Sequence, residues 1–107
     1  MGTFFKALAP TFPVDVVIQA PGKSADPLQM EVVYKYKTSA ELNAYLKQTH
    51  GHTDQENLGE VIDSWSGKDV PVYSREALAE LLDIYPGASA LLFNTYVAES
   101  TKARTKN

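Results

Sequence analysis

The chain has 107 residues, ten basic against thirteen acidic, and a formal charge of −3. That is the size of one domain and leaves no overall basic footprint for nucleic acid. It has no cysteine, which excludes a disulfide framework and a thiolate site and suits a reducing, cytoplasmic setting. No apolar run approaches the roughly 20 residues of a membrane helix, and Met1 to Pro10 holds too short an apolar core for a signal peptide.

The first residues, 1–11, read as an apolar arm with Phe4, Phe5 and Leu8 and no periodic element. These three side chains precede any recognisable structure, so they either dock on their own domain or pair with a neighbour, and they are the interaction candidates. From Phe12 the pattern alternates: Phe12, Val14, Val16 and Ile18 fall on one side and Asp15 and Gln19 on the other, which predicts a strand. The stretch from Ala20 to Pro27 collects turn formers and predicts an exposed hairpin loop. Leu28, Met30, Val32, Tyr34 and Tyr36 then alternate with Gln29, Glu31, Val33, Lys35 and Lys37, the clearest period-2 signal in the sequence and a second strand.

Thr38 followed by Glu41 fits a capping box and starts a helix carrying Leu42, Tyr45 and Leu46. It ends near His50-Gly51-His52, and Thr53 or Asp54 caps the next. Leu58, Val61, Ile62 and Trp65 recur at i, i+3, i+4 and i+7, so this helix is predicted to run to Trp65 with four apolar side chains on one stripe. Gly67 in Ser66-Gly67-Lys68-Asp69 is expected to stop it in a left-handed cap. Ser74 caps a third helix with Leu78, Leu81, Leu82 and Tyr85 on its stripe. Pro86 turns the chain and suits the first turn of a fourth, where Leu91, Leu92, Thr95 and Tyr96 form the stripe. Residues 100–107, with Lys102, Arg104 and Lys106 and no large apolar residue, are expected to fray as a flexible tail. The predicted class is α+β: an N-terminal two-stranded antiparallel hairpin on about four short helices, in a single domain over 12–99.

The search for chemistry finds no catalytic, cofactor or metal residue to assign. His50, His52 and Asp54 hold metal-ligating types but lack the second ligand pair of a structural site, and a solvated turn accounts for them. Gly67-Lys68-Asp69 lacks the earlier glycine and the following Ser or Thr of a phosphate loop. Glu56, Glu60, Asp63, Glu76, Glu80 and Asp83 lie largely opposite the apolar stripes, as a solvated face does. Trp65, Leu81, Tyr85, Pro86 and Gly87 are read as structural core, with Trp65 packed inside rather than in a contact.

Several segments carry a likeness. They are Pro10-Thr11-Phe12 leading into a strand, Tyr36-Lys37-Thr38 leading into an acidic-capped helix, and Ile62-Asp63-Ser64-Trp65-Ser66-Gly67. The most specific is Leu81-Leu82-Asp83-Ile84-Tyr85-Pro86-Gly87-Ala88. Together they resemble the tail assembly chaperones of long-tailed phages and prophages over most of the chain. The resemblance implies a non-enzymatic protein of the host cytoplasm that binds the tape measure protein and assists tail tube assembly. It further implies many copies acting together as a homo-oligomer, and a longer frameshifted form whose extension engages the tail tube protein. The competing class is a small bacterial regulatory or adaptor protein acting by protein–protein contact. Gene neighbourhood separates the two, while an enzyme reading has no motif behind it.

Overall fold

Strict alternation puts Met30, Val32 and Tyr34 on one face of a strand, and in the computed structural model, which describes residues 4–22 and 26–102, that strand is the centre of the sheet. β1 (Thr11–Ile18) and β2 (Leu28–Lys35) form the expected antiparallel hairpin, in register from Thr11 opposite Lys35 to Ile18 opposite Leu28. Gly22 takes φ +82 in the connecting loop, a conformation in which a Cβ is unfavourable. The buried face carries Val16, Ile18, Met30, Val32 and Tyr34, with Phe12 and Val14 half-buried beside them. The opposite face, with Asp15, Gln29, Glu31 and Lys35, is wet.

β1 is an edge, and Pro13 explains why its edge is tolerated. The Tyr36 amide donates to the Pro10 carbonyl at 2.8 Å. Backbone groups alternate in direction along a strand, so those of Phe12, Val14 and Val16 also face β2, whereas those of Pro13 and Asp15 face outward. The missing N–H of Pro13 therefore costs no ladder bond and interrupts the row on which another strand would pair.

The predicted helix to Trp65 is corrected by the structure. α1 (Ser39–Gln48) and, after a single 3-10 turn at Thr49–Gly51, α2 (Asp54–Val61) are helical, but Ile62–Ser66 is β3, the third strand, antiparallel to β2. Ile62 ends the helix in an extended conformation while its amide still donates to the Leu58 carbonyl. The reason for the misreading lies in the register. Val33 faces Ser64 and Tyr34 faces Ile62, so Asp63 is an extra residue in a β-bulge. One inserted residue places Ile62 and Trp65 on the same inward face three positions apart, the spacing a helix also produces.

Three predicted caps are present. The Glu41 amide donates to Thr38 Oγ1 at 3.2 Å and the Thr38 amide to Glu41 Oε1 at 2.8 Å. Thr53 and Glu56 repeat this box, at 3.2 and 2.9 Å. In both boxes the backbone hydrogen bond holds the carboxylate below its ordinary pKa. α3 (Arg75–Ile84) starts at Ser74, whose Oγ accepts from the Ala77 amide at 3.0 Å. α4 (Ala88–Thr101) starts at Gly87, so Pro86 precedes the helix rather than forming its first turn. Tyr85 is half-buried and Pro86 and Gly87 are exposed, which corrects their placement in the core: they turn the chain between two helices, and a turn runs over the surface. The helix continues through Ser100 and Thr101, the first two residues of the expected tail, because Ser100 is still part-buried. The remainder of that tail, from Ala103, lies outside the described residues, as do residues 1–3 of the arm.

Candidate functional site

At the Leu28–Ile18 end of the sheet the inner face runs past the helices that cover it and opens into a groove of ≈ 260 Å³. Its floor is Met30 and Trp65; its walls are Leu28 and Val70 on one side and Leu81 and Ile84 of α3 on the other. Trp65 belongs to β3 and is nearly buried, packed edge-on against Tyr73 with ring centroids 4.9 Å apart, and its Nε1 donates to the Pro71 carbonyl at 2.7 Å. That bond fastens the segment after β3 as a lip. Gly67 makes the lip possible, though not by the left-handed cap expected of it, since Gly22 is the glycine with positive φ among the described residues. A Cβ at Gly67 would stand 2.9 Å from the Gln29 carbonyl oxygen and 2.7 Å from Val70 Cγ2, so this backbone lies against β2 as only glycine can.

The groove mouth is apolar and acidic together. Ile84 is 57% exposed at the end of α3, and Val72 stands almost fully in solvent on the lip. Asp69 and Glu80 line the same mouth, and among the described residues neither enters an ion pair. The sequence reading missed this surface. Its one signal was Val70-Pro71-Val72, three apolar residues in a break between elements, where polar turn formers are the rule.

The arm candidates sit apart from the groove. Phe4, Phe5 and Leu8 are 92%, 87% and 67% exposed, and the arm leaves the sheet at the opposite end, where Thr11 faces Lys35. A further surface, this one uncharged, is the outer side of α4. From Ala88 to Ala98 this helix has no charged residue, with Ala90, Asn94 and Ala98 exposed and Leu91, Phe93 and Val97 half-buried.

The titratable residues do not converge. His52 Nδ1 lies 3.5 Å from Glu56 Oε1 at the exposed start of α2. His50 lies in the 3-10 turn, and among the described residues no three His, Asp or Glu side chains are grouped as a metal site would need. The strongly shifted groups are tyrosines in the core. Burial raises Tyr34 and Tyr45 far above the ordinary phenol value, and each hydroxyl donates to a carbonyl, Leu92 at 2.9 Å and Asn57 at 2.7 Å. Asn57, the one buried polar side chain among the described residues, was also missed; its Nδ2 donates to the Thr49 carbonyl at 3.1 Å and ties α2 to the turn before it. The Tyr34 bond holds α4 to β2, and the Tyr45 and Asn57 bonds hold α2 to α1 and to the turn between them; Thr49 and Asn57 also line a small cavity of ≈ 190 Å³ with Asp54, Leu58, Ser89 and Phe93.

Fold and surface together define a small α+β domain whose prominent exposed features are an apolar groove, an apolar arm and one uncharged helix face. The chain belongs to the phage tail assembly chaperone family, whose model matches residues 1–107. No curated protein and no solved structure matched. Among the described residues no helix is long and apolar enough to cross a membrane.

Proposed function

We propose that the protein works by binding rather than catalysis. It holds the tape measure protein in the host cytoplasm during tail assembly, and a longer form, extended beyond α4, brings in the tail tube protein. The observation that carries this reading is the family match over residues 1–107. The surface supports it: a chain with free apolar side chains at the arm, the groove mouth and Val72 is suited to apolar partners. The outer face of α4 is the proposed tape measure contact. It is uncharged along three turns, and burying it against a partner helix desolvates no ion.

Co-expression with the tape measure protein of the same phage or prophage tests the proposal. The two are expected to co-purify, and Asn94→Arg on the exposed face is expected to release the tape measure protein without changing the melting temperature. A tape measure protein that stays soluble alone and never co-purifies with this chain overturns the reading.

A further inference from the structure

We propose that the cavity between α2 and α4 receives a neutral carboxamide, the side chain of a glutamine or asparagine on a protein partner. The cavity measures ≈ 190 Å³ and is lined by Thr49, Asp54, Asn57, Leu58, Ser89 and Phe93. The observation that carries the proposal is an acceptor with nothing to accept from. Asn57 is only 9% exposed, and its Nδ2 donates to the Thr49 carbonyl at 3.1 Å. A carbonyl accepts and never donates, so that bond fixes which way the amide is turned. Oδ1 is left on the other side and enters no hydrogen bond among the described residues. Of their side-chain polar atoms only Ser100 Oγ is both sealed and without a partner, so Asn57 Oδ1 is reached from outside, and the cavity that Asn57 lines is the way in. A carbonyl oxygen in a side chain so deeply buried calls for a donor.

The rest of the lining decides what carries that donor. On the α2 side Asp54 adds a carboxylate at the exposed rim, in no ion pair among the described residues, and the Thr49 hydroxyl already donates to the Leu46 carbonyl at 2.8 Å. This side accepts hydrogen bonds. The α4 side donates them. Gly87 supplies no side-chain cap there, and the Ala88 and Leu91 amides are taken by the Tyr85 and Gly87 carbonyls at 2.9 and 3.1 Å. The Ser89 and Ala90 amides have no backbone acceptor among the described residues, and the hydroxyl of Ser89 is a further donor.

Neither sign of charge suits both sides. An anion would meet Asp54 and Asn57 Oδ1, and a cation would meet the positive end of α4. A carboxamide turns its NH2 to the first and its carbonyl to the second, with no ion to desolvate, and Leu58 and Phe93 wall in its methylenes. Phe93 belongs both to this cavity and to the outer side of α4, where Ala90 and Asn94 stand exposed beside Ser89 and Phe93 in the chain. A segment lying on α4 therefore passes the cavity mouth. That this segment is the tape measure protein rests on the function proposed above; the chemistry of the cavity does not. A partner that offered an apolar side chain here would leave Asn57 Oδ1 unpaired, so the cavity sets register in a contact that is otherwise uncharged.

The test is an NMR titration of the ¹⁵N-labelled full-length chain with propionamide, which is the glutamine side chain without its backbone. Propionate and guanidinium chloride serve as the anionic and cationic comparators. Propionamide is expected to shift the Asn57 side-chain amide and the Ser89 and Ala90 backbone amides saturably, with a dissociation constant on the order of 10 mM for so small a ligand. Both comparators are expected to bind about tenfold more weakly. Ser89→Ala should weaken propionamide about two- to tenfold, and Asp54→Ala should narrow its advantage over propionate; circular dichroism checks that both variants fold, and the parent titration decides if they do not. A cavity that holds only water gives no saturable shift, which overturns the inference, as does propionate or guanidinium binding as tightly as propionamide. Capture of the tape measure protein is scored separately. Capture by a parent that ignores propionamide sinks the inference and leaves the chaperone reading standing, and propionamide binding without capture gives the reverse.

Discussion

The two ends of the sheet are built from the same kinds of side chain and finished in opposite ways. At the Lys35 end Phe12, Tyr34 and Tyr96 stack, with centroids 5.2 to 6.2 Å apart, and the tyrosine hydroxyls end on backbone carbonyls, Tyr34 on Leu92 and Tyr96 on Lys35. On the inner face each of these three rings has an aromatic neighbour, and the two tyrosine hydroxyls are satisfied. At the Leu28 end α3 stops at Ile84 with that side chain still in solvent, and the lip after β3 leaves Met30 and Trp65 as the floor of a groove. The difference teaches that stability and contact are separated along one sheet: one end ties α4 down, and the other is left incomplete.

The largest expected effect lies where the two roles meet. Trp65→Ala removes both the groove floor and a nearly buried side chain of the core, and it should cost about 3–5 kcal/mol in chemical denaturation. Retained stability would show that Trp65 is not part of the core, and the comparison would have to be redrawn. Gly67→Ala should come next. Its Cβ would meet the Gln29 carbonyl oxygen at 2.9 Å, so β2 or the lip must move, at about 1–3 kcal/mol. Trp65 emission should change with it, because the lip carries the Pro71 carbonyl that Nε1 donates to.

Tyr34→Phe probes the closed end. It removes the hydroxyl's bond to the Leu92 carbonyl, which keeps its place in the α4 ladder, and should cost about 0.5–1.5 kcal/mol in chemical denaturation. The same chemistry sets a pH dependence. Tyr34 and Tyr45 have folded pKa values raised above the ordinary 10.0 by burial, so the folded state holds these protons more tightly than the unfolded chain does. Their contribution is fully present below pH 10 and lost as pH rises beyond it, so the melting temperature should fall above about pH 10, less steeply in Tyr34→Phe. A melting temperature that does not change between pH 9 and 11 would show that these hydroxyls do not matter to the closed end.

The smallest effect is expected from truncation after Glu99. It removes the last turn of α4, with the Thr101 Oγ1 bond to the Val97 carbonyl at 2.7 Å and the exposed Lys102–Glu99 pair at 2.9 Å. A loss of about 0.5–1 kcal/mol is expected by thermal denaturation. A larger loss would show that the closed end extends past Glu99.

Much of the fold was legible because its signals are local. The alternation from Leu28, the capping box at Thr38 and the caps at Thr53 and Ser74 each lie within a few residues, and each is present as an element or its start. A strand with one dry face and a helix N-terminus with orphan amides impose the same residue choices in any context. The sequence by itself therefore determined the α+β class, the hairpin and the places where helices begin. Tertiary structure decided the rest. Ile62 to Trp65 carried a helical spacing, and only the open edge of β2, together with a bulge at Asp63, made that segment a strand. The groove is assembled from Leu28, Trp65, Val70 and Ile84, which share no local pattern because they meet only once β2, β3 and α3 are in place. Backbone propensity is read from neighbours in the chain, but a surface belongs to residues that folding brings together.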